Sequence, residues 1–200
     1  MATEQELVER AKRGDPDAFG QLVTDNEKRI YNLALRMTGS PEDAAEAAQE
    51  AFLAAWQGLP NFRGESSFST WLYRLTSNAC VDLLRREGRH RGAAGPSLND
   101  EESDLRLPDD APGPQEQAER RELREQIETA LQALTPEHRQ VLVLREMHQL
   151  SYDEIAQVLK LDVGTVKSRI NRGRKQLRNF LLKSGNFSPP AASKESGKEG

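Results

Sequence analysis

The sequence predicts an all-α fold: an N-terminal helical bundle and a C-terminal four-helix helix-turn-helix module, both small, joined by a flexible acidic linker. Three observations predict it. Apolar residues recur at three- and four-residue steps through the long segments. Helix-start signals, a Ser, Thr or Asp followed by Pro or by Glu three residues on, stand before most of these segments. One stretch, from Gly88 to about Pro114, breaks the pattern with glycines, prolines and clustered acids, a composition that buries too little apolar surface to fold.

Taken in order, Thr3 with Glu6 forms a capping box for a short helix that ends near Gly14. Asp15 and Pro16 are an N-cap and first-turn proline opening a helix to about Thr38, with Phe19, Leu22, Val23, Ile30, Leu33, Ala34 and Met37 as its apolar stripe. Gly39, Ser40 and Pro41 stop it and cap the next, an alanine-rich helix over residues 41–57 in which Phe52 and Trp56 supply most of the bulk. Asp43, Glu46 and Glu50 lie at helical spacing, either a solvated face or a surface for a basic partner. A loop follows, in which Phe62 is either a plug on the core or an exposed stacking surface.

The next helix spans residues 68–87, with Phe68, Leu72, Leu75, Ala79 and Leu83 as its core stripe. Trp71, Arg74, Asn78, Asp82 and Arg85 form a second, mostly polar stripe. An aromatic beside Arg and Asn suits stacking and hydrogen bonding to unpaired bases; packing within the bundle is the alternative for Trp71. After the linker come helices over residues 115–133 and 136–147, the second opened by Thr135 and Pro136 and carrying Val141, Leu142 and Leu144.

Residues 150–183 read as two helices joined by a tight turn. Ser151 is the first N-cap, with Glu154 three residues on and Leu150 and Ile155 at the staple positions. Asp162 is the second, flanked by Leu161 and Val166. Ala156 is small where two sharply crossed helices must approach, and Ile155, Leu159, Leu161, Val166, Ile170 and Leu177 share a core. The outer face of the second helix carries Thr165, Lys167, Ser168, Asn171, Arg172, Lys175 and Arg178. A helix-turn-helix presents such a face to the major groove, where Arg, Lys, Asn and Ser read base edges and phosphates.

Charge is divided along the chain. The net charge of −4 is made of −2 over residues 1–92, −7 over 93–119 and +5 over 120–183, with 184–200 balanced. A DNA molecule would meet the basic C-terminal module, not the average. The 36% hydrophobic and 30% charged contents fit long exposed helices and disordered segments. The one cysteine, Cys80, sits in an apolar helix as a small core residue and has no partner for an intramolecular disulfide. The N-terminal stretch lacks the apolar core of a signal peptide, and no run approaches the roughly 20 apolar residues of a membrane span, so a cytoplasmic protein is expected. Nothing points to a cofactor or a metal. The three histidines are scattered, and Thr165 to Ser168 follows a single glycine, not a phosphate-loop pattern, which leaves little for an enzyme.

Four stretches together resemble the bacterial extracytoplasmic-function (ECF) sigma factors of the sigma-70 family. They are Pro41-Glu42-Asp43-Ala44 through Gln49-Glu50-Ala51-Phe52; Phe62-Arg63-Gly64-Glu65-Ser66-Ser67-Phe68-Ser69-Thr70-Trp71-Leu72; Asn78 through Asp82-Leu83-Leu84-Arg85-Arg86; and Leu150-Ser151-Tyr152 through Val163-Gly164-Thr165-Val166-Lys167-Ser168-Arg169. They lie in family order and cover most of residues 15–183.

The resemblance implies a domain plan: residues 1–92 for polymerase docking and the −10 element, 93–114 as linker, 115–183 for the −35 element, and 184–200 as a disordered tail. It implies that core RNA polymerase, through its β and β′ subunits, is a partner, and that Asp43, Glu46, Gln49, Glu50 and Phe52 meet the clamp coiled coil of β′. It gives Arg63, Ser66, Ser67, Trp71, Arg74, Asn78, Asp82, Arg85 and Arg86 to melted −10 promoter DNA. It gives Thr165, Lys167, Ser168, Asn171, Arg172 and Lys175 to the −35 duplex. An anti-sigma factor is an implied further partner. A conventional helix-turn-helix regulator would share the C-terminal half; the loop and helix from Phe62 onward separate the two readings.

Overall fold

The computed structural model describes residues 2–90 and 114–183. Eight α-helices and no strand occur among these residues: α1 Glu4–Lys12, α2 Pro16–Thr38, α3 Pro41–Gly58, α4 Phe68–His90, α5 Pro114–Gln132, α6 Pro136–Leu142, α7 Tyr152–Leu159 and α8 Val163–Lys183. A 3-10 turn, Leu59–Asn61, leads from α3 into the loop before α4. Three residues expected in the linker, 88–90, extend α4 as helix. The rest of the expected linker, 91–113, and the tail, 184–200, lie outside the described residues.

The expected caps form. Thr3 and Glu6 close a reciprocal capping box, and the Asp15 carboxylate accepts from the Asp17 and Ala18 amides. Gly39 ends α2 in the left-handed region, at φ +78°, where a side chain is strained. Ser40 then accepts from the Asp43 amide to open α3. Thr135 departs from expectation: its hydroxyl caps no amide and pairs instead with the His138 ring.

In the first module α2, α3 and α4 pack side by side, with α1 across α2. The buried face of α3 is made of Ala44, Ala47, Ala48, Ala51 and Ala55, which lets its neighbours approach closely. The bulk expected from Phe52 and Trp56 lies elsewhere: Phe52 is half-buried at the core's edge, and Trp56 is exposed and packs on Phe19 with ring centroids 4.9 Å apart. Cys80 is fully buried, and burial pushes its thiol up to about 12.

In the second module α6 does not run straight to Met147. The chain widens into a π-helical turn, Val143–Met147. Val141, Leu142, Val143 and Leu144 are all buried, four consecutive side chains that one helix stripe does not accommodate. At Gly173, buried on α8, an added Cβ would meet the Leu142 side chain at 3.0 Å, so α6 and α8 touch through a missing side chain.

The modules are not independent. α2 meets α5 and α6, and α4 meets α7. Buried Arg139 donates to the Leu131, Gln132 and Leu134 carbonyls at the end of α5 and, at 2.6 Å, to the Met37 carbonyl at the end of α2. Gln132 donates to the Arg36 carbonyl at 3.1 Å, and Arg36 pairs with Glu128 at 3.8 Å. The His148 ring packs on Tyr73 of α4 with centroids 4.8 Å apart and the planes tilted by 57°. Burial, then the charges of Arg36 and Arg29, lower the His148 imidazole to about 4.

That value carries a sign. With the packed pKa below the ordinary 6.5, the neutral ring is the form the seam accepts. Its stabilising contribution is complete above pH 6.5 and is lost as pH falls from there toward 4. Thermal unfolding of the wild-type chain, compared at each pH with His148→Phe, should show the difference between the two curves grow through that window. Parallel curves would mean that the seam does not exclude the charged ring.

Candidate nucleic-acid interface

The helix-turn-helix is built by local chemistry. Arg145 donates to the Leu150 carbonyl at 2.8 Å and lies over the Tyr152 ring at 5.0 Å, which fixes the approach to α7. Gln149 takes a positive φ of 56° where the chain reverses. Ser151 and Glu154 then close the capping box. At the far end Lys160 adopts the left-handed conformation and donates its N–H to Ala156, whose carbonyl also accepts from Leu161. Two residues later Asp162 caps α8, accepting from the Thr165 amide at 2.7 Å and from the Thr165 hydroxyl. The Thr165 hydroxyl first, and then its N–H, hold the Asp162 carboxyl below the usual carboxylate range.

This frame presents Lys167, Ser168, Asn171, Arg172 and Lys175 on the exposed face of α8, with Thr165 half-exposed at its start. Two of the six are partly engaged. The Thr165 hydroxyl donates to the cap, and the Ser168 hydroxyl donates to the Thr165 carbonyl at 2.9 Å. Arg174 belongs to a different face and is held by Glu146 of the π-helical turn at 2.6 Å, which steadies α8 against the module.

The second candidate surface begins in the loop before α4. Phe62 is half-buried and stacks on Trp71 at 4.8 Å and 29°, with Phe68 edge-on at 6.3 Å. Trp71 is 8% exposed, so packing is its main occupation and one ring face is covered by Phe62. Behind the loop lies a cavity of about 510 Å³ lined by Asn61, Phe62, Arg63, Glu65, Ser66, Thr70, Trp71 and Arg74. The structure thus brings together four of the predicted −10 residues: Arg63, Ser66, Trp71 and Arg74. Ser67 serves another purpose, capping α4 by accepting from the Thr70 amide at 3.0 Å.

Asn78, Asp82, Arg85 and Arg86 follow along α4 as exposed residues outside the cavity. Asp82 and Arg85 pair at 3.6 Å. Arg86 reaches across to α3 and binds Glu50 at 3.1 Å and Glu46 at 3.9 Å. A residue assigned to DNA and two assigned to polymerase therefore form one ion-pair cluster. The remaining polymerase candidates divide. Gln49 is exposed, whereas Phe52 is half-buried. Asp43 is also half-buried, with one carboxylate oxygen buried and without a partner among the described residues.

Sequence reasoning missed Leu53, more than half exposed beside this patch. The signal was available: Leu53 is four residues after Gln49 and three after Glu50, on the same helix face. It also missed Asn61, Glu65 and Thr70 in the cavity wall. Their positions depend on how the loop folds back over Trp71. Among the described residues no helix is long and apolar enough to cross a membrane.

Comparison with known proteins matches both modules. Residues 22–90 match the family model described as Sigma-70 region 2, and residues 124–177 match Sigma-70, region 4. The RNA polymerase sigma-H factor of Pseudomonas aeruginosa is 39% identical over 182 residues, covering 89% of this chain and 93% of that one. The ECF RNA polymerase sigma factor SigE of Mycolicibacterium smegmatis is 37% identical over 166 residues, covering 83% of this chain and 62% of that longer relative. A solved structure of CnrH in complex with the cytosolic domain of CnrY is similar at a TM-score of 0.64 and 29% identity, over 89% of this chain and 96% of that one.

The capping geometry of α8 predicts a graded response. Asp162→Ala should speed hydrogen exchange at the Thr165 amide and lower the melting temperature, because the amide loses its acceptor. Asp162→Asn, which keeps an acceptor, should lie close to wild type. Equal losses in both would assign the effect to the carboxylate charge and not to the cap.

Proposed function

The chain belongs to the extracytoplasmic-function sigma factors of the sigma-70 family, which direct transcription initiation, and from that premise we propose how its two modules divide the work. The exposed face of α8 reads the −35 element as duplex DNA in the major groove, through Thr165, Lys167, Ser168, Asn171, Arg172 and Lys175. Arg172, Lys175 and Lys167 supply cations for phosphates and guanine edges, and Asn171 has the donor and acceptor pair that matches adenine. The loop and the head of α4 hold the melted −10 element.

The observation that supports this reading best is the cavity behind Phe62, in which a stacked aromatic pair stands among Arg63, Ser66 and Arg74. A base removed from the duplex loses a few kcal/mol of stacking and pairing, to be offset by contacts of this kind. Asn78, Asp82, Arg85 and Arg86 continue the strand's path along α4. Ser67 contributes by ordering the loop through its cap, and Trp71 by forming the floor on which Phe62 rests.

Core RNA polymerase is met through Glu46, Gln49 and Glu50, with Leu53 as an apolar neighbour and Asp43 and Phe52 at the margin. The polymerase performs the chemistry, and this chain supplies placement. A protein partner that restrains the chain, an anti-sigma factor, is part of the proposal. It is supported by CnrH, the similar chain solved together with the cytosolic domain of CnrY.

Two substitutions separate the roles. Arg172→Ala should reduce transcription from a −35-dependent promoter about tenfold, the range for one base or phosphate contact, and leave affinity for core polymerase unchanged. Gln49→Lys, which adds a cation to the acidic patch without disturbing the Arg86 cluster, should lower core affinity first. Both are measured by competition for core polymerase and by run-off transcription. Equal loss of core binding in Arg172→Ala, or unaltered core binding in Gln49→Lys, would refute the corresponding assignment.

A further inference from the structure

Serine and threonine hydroxyls are ordinarily undiscriminating readers. Each has one proton to give and two lone pairs to accept with, so it pairs with either kind of base edge and with phosphates. At the start of α8 that freedom is already engaged. The Thr165 hydroxyl pairs with one oxygen of the Asp162 carboxylate, while the other oxygen accepts from the Thr165 amide at 2.7 Å. The hydroxyl first, and then the amide, hold the Asp162 carboxyl below the usual carboxylate range, so it is ionised at neutral pH and can only accept. The direction of the hydroxyl bond follows: the single proton of Thr165 points back at the cap. What its oxygen shows to a ligand is lone pairs alone.

Thr165 is half-exposed and shares a face of α8 with exposed Ser168 and Arg172. Ser168 donates in a similar way, to the Thr165 carbonyl at 2.9 Å. That bond joins neutral groups and exchanges at little cost for one to DNA, whereas the Thr165 bond is charge-assisted and holds. The consequence is chemical. A phosphate oxygen only accepts, so a hydroxyl whose proton is engaged cannot bond to it. Guanine O6 and thymine O4 are excluded for the same reason. What remains in the major groove is an amino group, adenine N6 or cytosine N4.

We propose that Asp162 sets the base preference of Thr165: with the hydroxyl proton held at the cap, α8 favours a base bearing an amino group at the position Thr165 faces and disfavours one bearing a carbonyl. The inference rests on the reading of α8 as the −35 helix and adds a selection rule at one of its contacts. Asp162 acts through Thr165 and is a positioning residue. Phosphates are left to Lys167, Arg172 and Lys175.

Asp162→Asn separates this role from capping. The Asn carbonyl oxygen still accepts from the Thr165 amide, but its NH2 donates to the Thr165 oxygen. The Thr165 proton is then free to reach a base carbonyl. The experiment uses the full chain with core polymerase on a promoter mapped by run-off transcription. Each −35 base pair is replaced by its transition, which exchanges an amino group for a carbonyl at one place in the groove. Thr165→Val, which lacks the hydroxyl and keeps the amide bond to the cap, identifies the position that Thr165 reads, because discrimination disappears there alone. At that position the wild-type chain should favour the amino-bearing base about tenfold, the range for one base contact. Asp162→Asn should lose that preference, keep its activity on the favoured promoter and melt close to wild type.

A wild-type preference for the carbonyl-bearing base at that position would overturn the proposal. So would an Asp162→Asn chain that keeps the wild-type preference, or a Thr165→Val chain that leaves every preference unchanged. If no −35 substitution affects the wild-type chain, the reading of α8 itself falls. If −35 substitutions and Arg172→Ala reduce transcription but Asp162→Asn discriminates as wild type does, only the selection rule falls.

Discussion

A single guanidinium with no ion-pair partner among the described residues holds the middle of this molecule. Arg139 is buried, its charge disfavoured by desolvation, and its partners are four backbone carbonyls from the ends of α5 and α2 and the residues that follow α5. Helix ends leave carbonyls without intrahelical partners, and a cation bonded to several of them satisfies them all at once. The turn from α5 to α6 and the docking of α6 on α2 both depend on this group. Removing it would leave buried acceptors unpaired, at a cost of about 1–3 kcal/mol for each group that water cannot reach.

The rest of the structure is positioned from that point. With the second module seated, α7 crosses α4 and His148 closes on Tyr73. α8, capped by Asp162 and braced by the Arg174 to Glu146 pair, turns its polar face outward. In the first module the alanine face of α3 draws α2 and α4 close, which leaves Glu46, Gln49 and Glu50 on the outside and brings Arg86 within reach of two of them. One scaffold thereby carries an exposed polar helix face, a cavity beside a stacked aromatic pair and an acidic patch.

Much of this was legible because helix starts are local. Thr3 with Glu6, Asp15 with Pro16, Ser151 with Glu154, and Asp162 are each read within four residues, and each makes the bond its spacing requires. The outward face of α8 was legible for the same reason, since 3.6-residue periodicity decides it. What was not legible depends on distance along the chain. Arg139 meets the Met37 carbonyl across 102 residues, and no periodicity marks that contact. The packed seam between the modules was not legible for that reason. Thr135 has the sequence of a cap, but His138 competes for its hydroxyl, and Ser67, expected only as a DNA contact, also caps α4. The order of buried residues 141–144 hinted at a widened turn only once their common burial was known.

The central claim is that this chain and core polymerase together hold promoter DNA open at −10, which neither does alone. Permanganate reactivity of thymines in a mapped promoter measures that directly, because only unpaired thymines react. Core polymerase with this chain should expose thymines within the −10 element, and chain alone or core alone should expose none. Promoter binding by the chain with every thymine protected, whether or not polymerase is present, would contradict the account and leave a duplex-binding regulator in its place.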